Sequence, residues 1–169
     1  NPAKEAEYRK RAADLVAQMT LHEKVSQMLS WAPAIERLGI PAYNWWSEGI
    51  HGVGRAGTAT IFPQALGMAP AIAADMKEPI RNAIGVEARG KYNMCRAHGD
   101  RDIFKGLTVW APNINIFRDP RWGRGHETYG EDPFLTSRLG VRFVEGMQGN
   151  DPEYLQAAAC ARPFAGRSG

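Results

Sequence analysis

The sequence has few cysteines and no segment long enough to cross a membrane. Two cysteines, Cys95 and Cys160, lie far apart in 169 residues, and neither belongs to a Cys-x-x-Cys pair. This usage predicts two buried free thiols. The longest apolar stretch, residues 65–74, contains Gly and Pro and has about half of the roughly 20 residues that a membrane helix needs. We therefore expect no membrane association.

A strong excess of one charge is also lacking. The chain carries 21 Lys and Arg against 18 Asp and Glu, a formal net charge of +3. Arginines near position 121 alternate with acids, so there is no basic run of the kind that binds nucleic acid. No cluster of residues has metal-ligand spacing. The composition argues against a nucleic-acid partner and a metal site, and the hydrophobic content of 44% indicates a globular chain.

Apolar periodicity and capping signals predict four helices, at residues 3–19, 21–30, 75–93 and 134–147. Thr20 and Glu23 form a capping box before the second helix. Asp75 is the expected N-cap of the third helix, and Asp132 followed by Pro133 marks the start of the fourth. The apolar face of the first helix consists of Ala12, Leu15, Val16 and Met19. The predicted core residues are Phe62, Leu135, Leu139 and Phe143.

Short runs of β-branched and aromatic residues predict strands at residues 43–47, 61–63, 107–111 and 157–161. Strands that alternate with helices indicate a parallel α/β architecture. Polar residues follow three of the strands: Glu48 and His51, then residues 118–127, then Arg162. In a (β/α)8 TIM-type barrel the active site occupies these loops after the strands. Because such a barrel takes about 250 residues, we predict an incomplete N-terminal portion of one.

The longest irregular segment, residues 112–131, is dense in charge, aromatic residues and glycine. Long loops of this kind in compact domains are usually functional. Within it, Arg118, Asp119 and Arg121 are predicted to form a buried salt-bridge lattice. For His126, as for His51 earlier in the chain, a hydrogen-bonded structural role is favoured over a catalytic one. Two roles are open for the tryptophans Trp45, Trp46 and Trp122: packing in the core, or contact with a ligand.

Four motifs in this order carry a resemblance to a known family: YNWWSEGIHGV, ATIFPQALGMA, FRDPRWGRGHETYGEDP and AACARPFAGRSG. Together they resemble glycoside hydrolase family three, and more narrowly its β-glucosidase and β-xylosidase branch. The resemblance extends from Ala12 to Gly169. It implies that residues 1–169 are the N-terminal part of a barrel domain, whose remaining strands and following α/β sandwich are absent from this chain.

The resemblance also implies an activity, the retaining hydrolysis of terminal non-reducing β-D-glycosidic bonds. Substrates would be oligosaccharides or aryl β-glycosides, no cofactor is required, and a secreted or periplasmic location agrees with the family. The family's aspartate nucleophile lies late in the barrel and its acid/base glutamate beyond it. Neither motif is in this chain, so we assign it no catalytic residue. Nothing in the spacing of Glu48, Asp119, Glu127, Glu131 and Asp132 singles out a catalytic pair.

The resemblance places part of the sugar-binding wall in this chain. Glu48 matches the acid, and Arg124 the arginine of the WGR motif, that hydrogen-bond the terminal sugar. Trp46 is the expected platform for the sugar ring. The alternatives are a solvated loop acid for Glu48 and, for Arg124, a structural ion pair with Glu127 or Glu131.

The third part of this wall departs from the family pattern. Arg162 stands where a lysine is usual, which keeps a cation but changes its reach. Pro163 replaces a histidine and so removes a donor. Gly166 and Arg167 depart as well, and four changes this close together suggest sequence error, alteration or decay. Arg162 is still assigned to the substrate-binding set.

Two functions therefore compete for this chain. One is part of an exo-acting β-glycosidase, with a lean toward xylosides because Glu48 and the preceding tryptophans would crowd a hexose hydroxymethyl group. The other is an inactive truncated fragment that at most binds sugar. Half a barrel also leaves strand edges unpaired, which favours self-association.

Overall fold

The computed structural model describes residues 2–70 and 74–163, with side chains left out for residues 74–81. Its helices are α1 (Pro2–Gln18), α2 (Leu21–Ser26), α3 (Ala65–Met68), α4 (Ala74–Ala97) and α5 (Pro133–Gln148). Its strands are β1 (Trp31–Ala32), β2 (Tyr43–Asn44), β3 (Thr108–Val109) and β4 (Ala158–Ala159). Two 3₁₀ turns lie at Glu36–Leu38 and Gly125–Glu127.

Three chain segments pair in parallel to form the centre of the fold. Ser47 bridges to Val109 in parallel, and β3 pairs in parallel with β4, with Thr108 opposite Ala158. The order across the sheet is therefore the segment at Ser47, then β3, then β4. A separate antiparallel pair joins β1 to β2. The predicted parallel α/β architecture is confirmed, although the strands are shorter than predicted.

Helices α4 and α5 pack against each other and cover this sheet. The apolar core between them consists of Ile84, Ala88, Val109, Ala111, Phe143, Met147 and Ala157. Gly49 allows the first parallel segment to approach the core closely, because a Cβ there would lie 2.8 Å from Cγ1 of Val109. Phe143 and Leu139 are buried as predicted, whereas Leu135 and Phe62 are only partly buried and pack at the edges of core clusters.

Local capping signals explain where the helices begin. The amide of Glu23 donates to Oγ1 of Thr20 over 3.3 Å, and the Thr20 amide donates back to the Glu23 carboxylate over 2.8 Å. This is the predicted capping box before α2. Likewise the Leu135 amide donates to Oδ1 of Asp132 over 2.7 Å, and Pro133 is the first residue of α5. The cap predicted at Asp75 lies outside the described side chains.

Several predictions about the helices and strands are corrected. Helix α2 ends at Ser26 rather than residue 30, because the carbonyl of Ser30 accepts the Trp45 amide at 2.7 Å and draws the chain into the sheet. Residues 61–63 are not a strand but lead directly into α3. Helix α1 forms as predicted, yet none of its residues is buried: Ala12 and Val16 are exposed, and Leu15 and Met19 only half-buried.

The prediction of buried thiols is also wrong. Both cysteines are free, but Cys95 on α4 is half-buried and Cys160 is exposed. Cys160 is exposed because its side chain faces a cavity at the end of β4. Among the described residues, no helix is long and apolar enough to span a membrane.

The packing of α5 gives a first testable prediction. Met147 is fully buried in the core, so Met147→Ala should lower the free energy of unfolding by about 3 kcal/mol, through lost transfer energy and a residual cavity. Chemical denaturation followed by circular dichroism measures this value. Val141 is exposed on the same helix, so Val141→Ala is the matched control and should change stability by less than about 0.5 kcal/mol. Equal losses in both variants would contradict this packing.

Candidate functional site

A cavity of about 830 Å³ opens at the C-terminal ends of the three parallel segments. The parallel pairing brings the ends of these segments to one edge of the sheet, where loops carry polar side chains. Its walls are formed by Trp46, Glu48, Gly49, Ile50, Gln64, Trp110, Arg124, His126, Glu127, Cys160, Ala161, Arg162 and Pro163. All four residues predicted to bind substrate line this single cavity: Trp46, Glu48, Arg124 and Arg162.

The carboxylate of Glu48 is held from two sides. The indole Nε1 of Trp46 donates to Oε1 over 3.3 Å, and Nε of Arg55 lies 3.8 Å from Oε2. The backbone is fixed as well, because the Gly54 amide donates to the Glu48 carbonyl over 2.9 Å. These contacts orient the Glu48 carboxylate on the cavity wall, where its side chain is 43% exposed.

Two stacked indoles form the aromatic part of the wall. The rings of Trp46 and Trp110 lie 4.6 Å apart at an interplanar angle of 8°. Nε1 of Trp110 donates to the carbonyl of Trp45 over 2.9 Å, which fixes the ring. Trp110 was not predicted as a site residue, because its strand propensity already accounted for it. Its place directly after β3, at the C-terminal end, was the available signal.

Glu127 binds both predicted arginines at once. Nη2 of Arg124 donates to its Oε2 over 2.7 Å, and Nη2 of Arg162 donates to the same oxygen over 2.6 Å. Burial opposes the ionisation of this carboxyl, whose side chain is 13% exposed, but the hydrogen bonds from the two guanidinium groups outweigh burial and lower its pKa to about 2. The structural ion pair with Glu127, given above as the alternative for Arg124, thus exists, and Arg124 lines the cavity as well.

The predicted salt-bridge lattice does not form at Arg118, Asp119 and Arg121. Asp119 and Arg121 do pair, but the Arg121 side chain is 89% exposed, so the pair is solvated rather than buried. Arg118 donates to Oδ1 of Asn115 over 3.2 Å and to the carbonyl of Ile116. None of the three lines the cavity within the described part of the chain. The loop is instead organised around Glu127.

The two histidines differ. His51 bonds through Nδ1 to the carbonyl of Phe62 at 2.8 Å and through Nε2 to the Gln64 amide at 3.1 Å, which is the structural role predicted for it. His126 is exposed on the cavity wall and makes no hydrogen bond to the described residues. The structural role predicted for His126 is therefore not seen.

The cavity wall is balanced in charge. Arg124 and Arg162 are matched by Glu48 and Glu127, and no group of residues in the described ranges is arranged to hold a metal ion. A wall of paired charges and indole faces offers hydrogen-bond donors, acceptors and an apolar surface without a net field. These are the features that a neutral, polyhydroxylated ring requires.

Comparison with known proteins identifies the family. Residues 11–169 match the family model described as the glycosyl hydrolase family 3 N terminal domain. This chain belongs to glycosyl hydrolase family 3. Its fold is accordingly the α/β, N-terminal portion of a (β/α)8 TIM-type barrel, incomplete in this chain, as the sequence predicts.

Similar family 3 proteins are named as β-xylosidases. The chain is 46% identical to "Xylan 1,4-beta-xylosidase" of Xylanibacter ruminicola, over 95% of this chain and 19% of that protein. It is 44% identical to "Beta-D-xylosidase 3" of Arabidopsis thaliana, over 91% of this chain and 21% of that protein. The chain thus spans about a fifth of the length of these curated relatives.

Solved structures of a β-xylosidase and a β-glucosidase are similar to this chain. A GH3 exo-beta-xylosidase (XlnD) in complex with a xylobiose aziridine probe matches with a TM-score of 0.76 and 34% identity, over 94% of this chain and 21% of that one. DesR, a beta-glucosidase from Streptomyces venezuelae in complex with D-glucose, matches with a TM-score of 0.71 and 30% identity, over 92% of this chain and 19% of that one.

Two of the four expected departures from the family pattern, Arg162 and Pro163, fall on described residues. Arg162 is well accommodated, since its Nε donates to the Trp110 carbonyl over 2.9 Å while Nη2 binds Glu127. The planar guanidinium group binds two acceptors that lie in different directions, the Trp110 carbonyl and the Glu127 carboxylate. An arginine can bind both at once more readily than a lysine, which has a single ammonium group. Pro163 lines the cavity beside it. The remaining departures, at Gly166 and Arg167, lie outside the described residues.

Glu127 gives a prediction for the pH dependence of stability. Its pKa falls from an ordinary value of 4.5 to about 2 on folding, so the unfolded chain binds the proton more readily. Its stabilising contribution is complete above about pH 4.5 and is lost as the pH falls toward 2. Urea denaturation at pH values between about 5 and 2.5 should therefore show a shallower loss of stability in Glu127→Gln than in the wild type.

The control for this experiment is Asp119→Asn, in the same loop, which removes an exposed ion pair and leaves Glu127 intact. The hydrogen bond from Arg121 lowers the pKa of Asp119 as well. Because solvent screens this exposed pair, the stability curve of Asp119→Asn should nevertheless stay closer to that of the wild type than the curve of Glu127→Gln. A Glu127→Gln curve parallel to the wild type would contradict the assigned pKa.

Proposed function

We propose that this chain supplies part of the −1 sugar subsite of a retaining β-glycoside hydrolase that acts on terminal non-reducing β-D-xylosidic or β-D-glucosidic bonds. Family membership supports the reaction class. The observation that carries the proposal is the single cavity that joins the Glu48 carboxylate, two guanidinium groups and a stacked indole pair. The ligand is an oligosaccharide or aryl β-glycoside.

Each residue has a role that follows from its bonds. The Glu48 carboxylate accepts hydrogen bonds from sugar hydroxyls while the Trp46 indole N–H keeps it oriented. Arg124 and Arg162 each use Nε and Nη2 within the protein. Their Nη1 groups have no partner among the described residues and are the donors available to hydroxyls. Trp46, backed by Trp110, offers an apolar surface to the sugar ring.

The catalytic carboxyl groups lie outside this set. Retaining hydrolysis needs a nucleophile and an acid/base about 5–5.5 Å apart. Glu127 is unsuited to either task, because two arginines occupy its carboxylate and its pKa of about 2 leaves almost no protonated form at neutral pH. Asp132 is used as the cap of α5. We assign residues 1–169 to the N-terminal part of the barrel domain and place both catalytic groups elsewhere in the full-length enzyme.

Xylosides are the favoured substrates. Similar proteins carry β-xylosidase names, and the XlnD structure holds a xylobiose-derived probe. The Trp46 ring beside Glu48 would occupy space that a hexose hydroxymethyl group needs, whereas a pentose has no such group.

The full-length protein should therefore hydrolyse aryl β-D-xyloside with a higher kcat/KM than the matching β-D-glucoside. Equal values of kcat/KM would contradict the preference.

The test of the proposed function compares the 169-residue chain with the full-length protein on both aryl glycosides. We predict turnover by the full-length protein and none by the chain alone, because the chain lacks the nucleophile. Turnover by the chain would contradict this division of roles and move attention to Glu48 and the other loop acids. If neither protein hydrolyses either aryl glycoside, the hydrolase assignment is contradicted.

A second candidate function is sugar binding without catalysis, with association through the sheet edge. Residues Ala158 and Cys160 donate to β3, so the amide and carbonyl of Ala159 point to the outer edge, where they have no partner in the described residues. An open edge of this kind recruits further strands.

We predict that the isolated chain self-associates with increasing concentration in sedimentation experiments. Ala159→Pro, which removes the outward donor, should reduce it; a monomeric wild type with a sharp thermal transition would contradict this.

A further inference from the structure

One carboxylate ties together two arginines from different parts of the fold. Arg124 belongs to the long loop after β3, and Arg162 follows β4, yet both reach Oε2 of Glu127, over 2.7 and 2.6 Å. Arg124 also donates through Nε to Oε1, so it binds the carboxylate at both oxygens. The relative placement of the two guanidinium groups is therefore set by Glu127.

The turn that carries Glu127 is itself fixed. Oγ1 of the fully buried Thr128 donates to the Gly125 carbonyl over 2.7 Å. Gly125 packs so closely on Phe117 that a Cβ there would lie 2.5 Å from the ring. The Arg162 end is anchored as well, through Nε to the Trp110 carbonyl. Charge-assisted bonds between anchored groups in a partly buried site are strong and directional.

We propose that Glu127 is a positioning residue for sugar binding: it holds Arg124 and Arg162 at one spacing, so that their free Nη1 groups meet hydroxyls of the same sugar. This inference rests on the proposed function of the cavity. Glu127 does not need to touch the sugar, because both of its oxygens are already used by the arginines. Its loss acts through them.

The arginine at position 162 is required for this positioning by Glu127. Its fork reaches the Trp110 carbonyl with Nε and Glu127 with Nη2 at the same time, and still leaves Nη1. A lysine has one ammonium group and no rigid fork. Arg162→Lys should therefore loosen the coupling to Glu127 while it keeps the positive charge.

The experiment uses the full-length protein and its variant Glu127→Gln, with Asp119→Asn as the matched control in the same loop. The readouts are KM for aryl β-D-xyloside, the inhibition constant of D-xylose and the pH profile of kcat/KM. Loss of a charge-assisted pair to both arginines should raise KM and the inhibition constant about tenfold. The ionisations seen in the pH profile should stay unchanged, and Asp119→Asn should match the wild type.

Each other outcome overturns the inference in a distinguishable way. An unchanged inhibition constant in Glu127→Gln, with an active wild type, overturns the positioning role and leaves the proposed function standing. A lost limb of the pH profile shows that Glu127 acts as an acid or base instead. A wild type inactive on both aryl glycosides overturns the proposed function together with this inference.

A second set of variants covers a Glu127→Gln protein that does not fold. Arg124→Lys, Arg162→Lys and the double variant form a cycle in which the inhibition constant of D-xylose is measured. If both arginines depend on one carboxylate, the double variant should lose clearly less than the product of the two single losses. Strictly multiplicative losses would overturn the shared-carboxylate role.

Discussion

Parallel pairing on both sides of β3 is the constraint on which the site depends. Ser47 on one side and β4 on the other bring three strand ends to a single edge of the sheet. Glu48, Trp110 and Arg162 then meet there, although more than 100 residues separate the first from the last. Helices α4 and α5 keep this register by packing on one side of the same strands.

Ion pairs and hydrogen bonds within the cavity fix the side chains that the sheet brings together. Each charged group on the wall has a protein partner: Glu48 has Trp46 and Arg55, and the two arginines share Glu127. A carboxylate with two guanidinium partners stays ionised despite partial burial, so the arginines remain fixed across the ordinary pH range. The wall is thus arranged before any ligand arrives, which lowers the cost of binding.

Signals that are local in sequence were readable in advance. The Asp132 cap with Pro133 and the Thr20 capping box define helix starts through residues three apart, and the alternation of strands and helices indicated that polar loop residues would converge. Contacts between distant residues were not readable. The Glu127–Arg162 pair joins positions 35 residues apart. Trp110 was explained by strand propensity alone, and the exposure of the Arg121 side chain is set by the course of the folded loop.

The most direct test of the proposed sugar-binding cavity is a crystal structure of the full-length protein with D-xylose bound. We expect the Glu48 carboxylate and Nη1 of both Arg124 and Arg162 to lie within hydrogen-bond distance, about 2.7–3.2 Å, of hydroxyls on one pyranose ring beside Trp46. A sugar ring that contacts none of these side chains, or that binds outside the cavity, would contradict it.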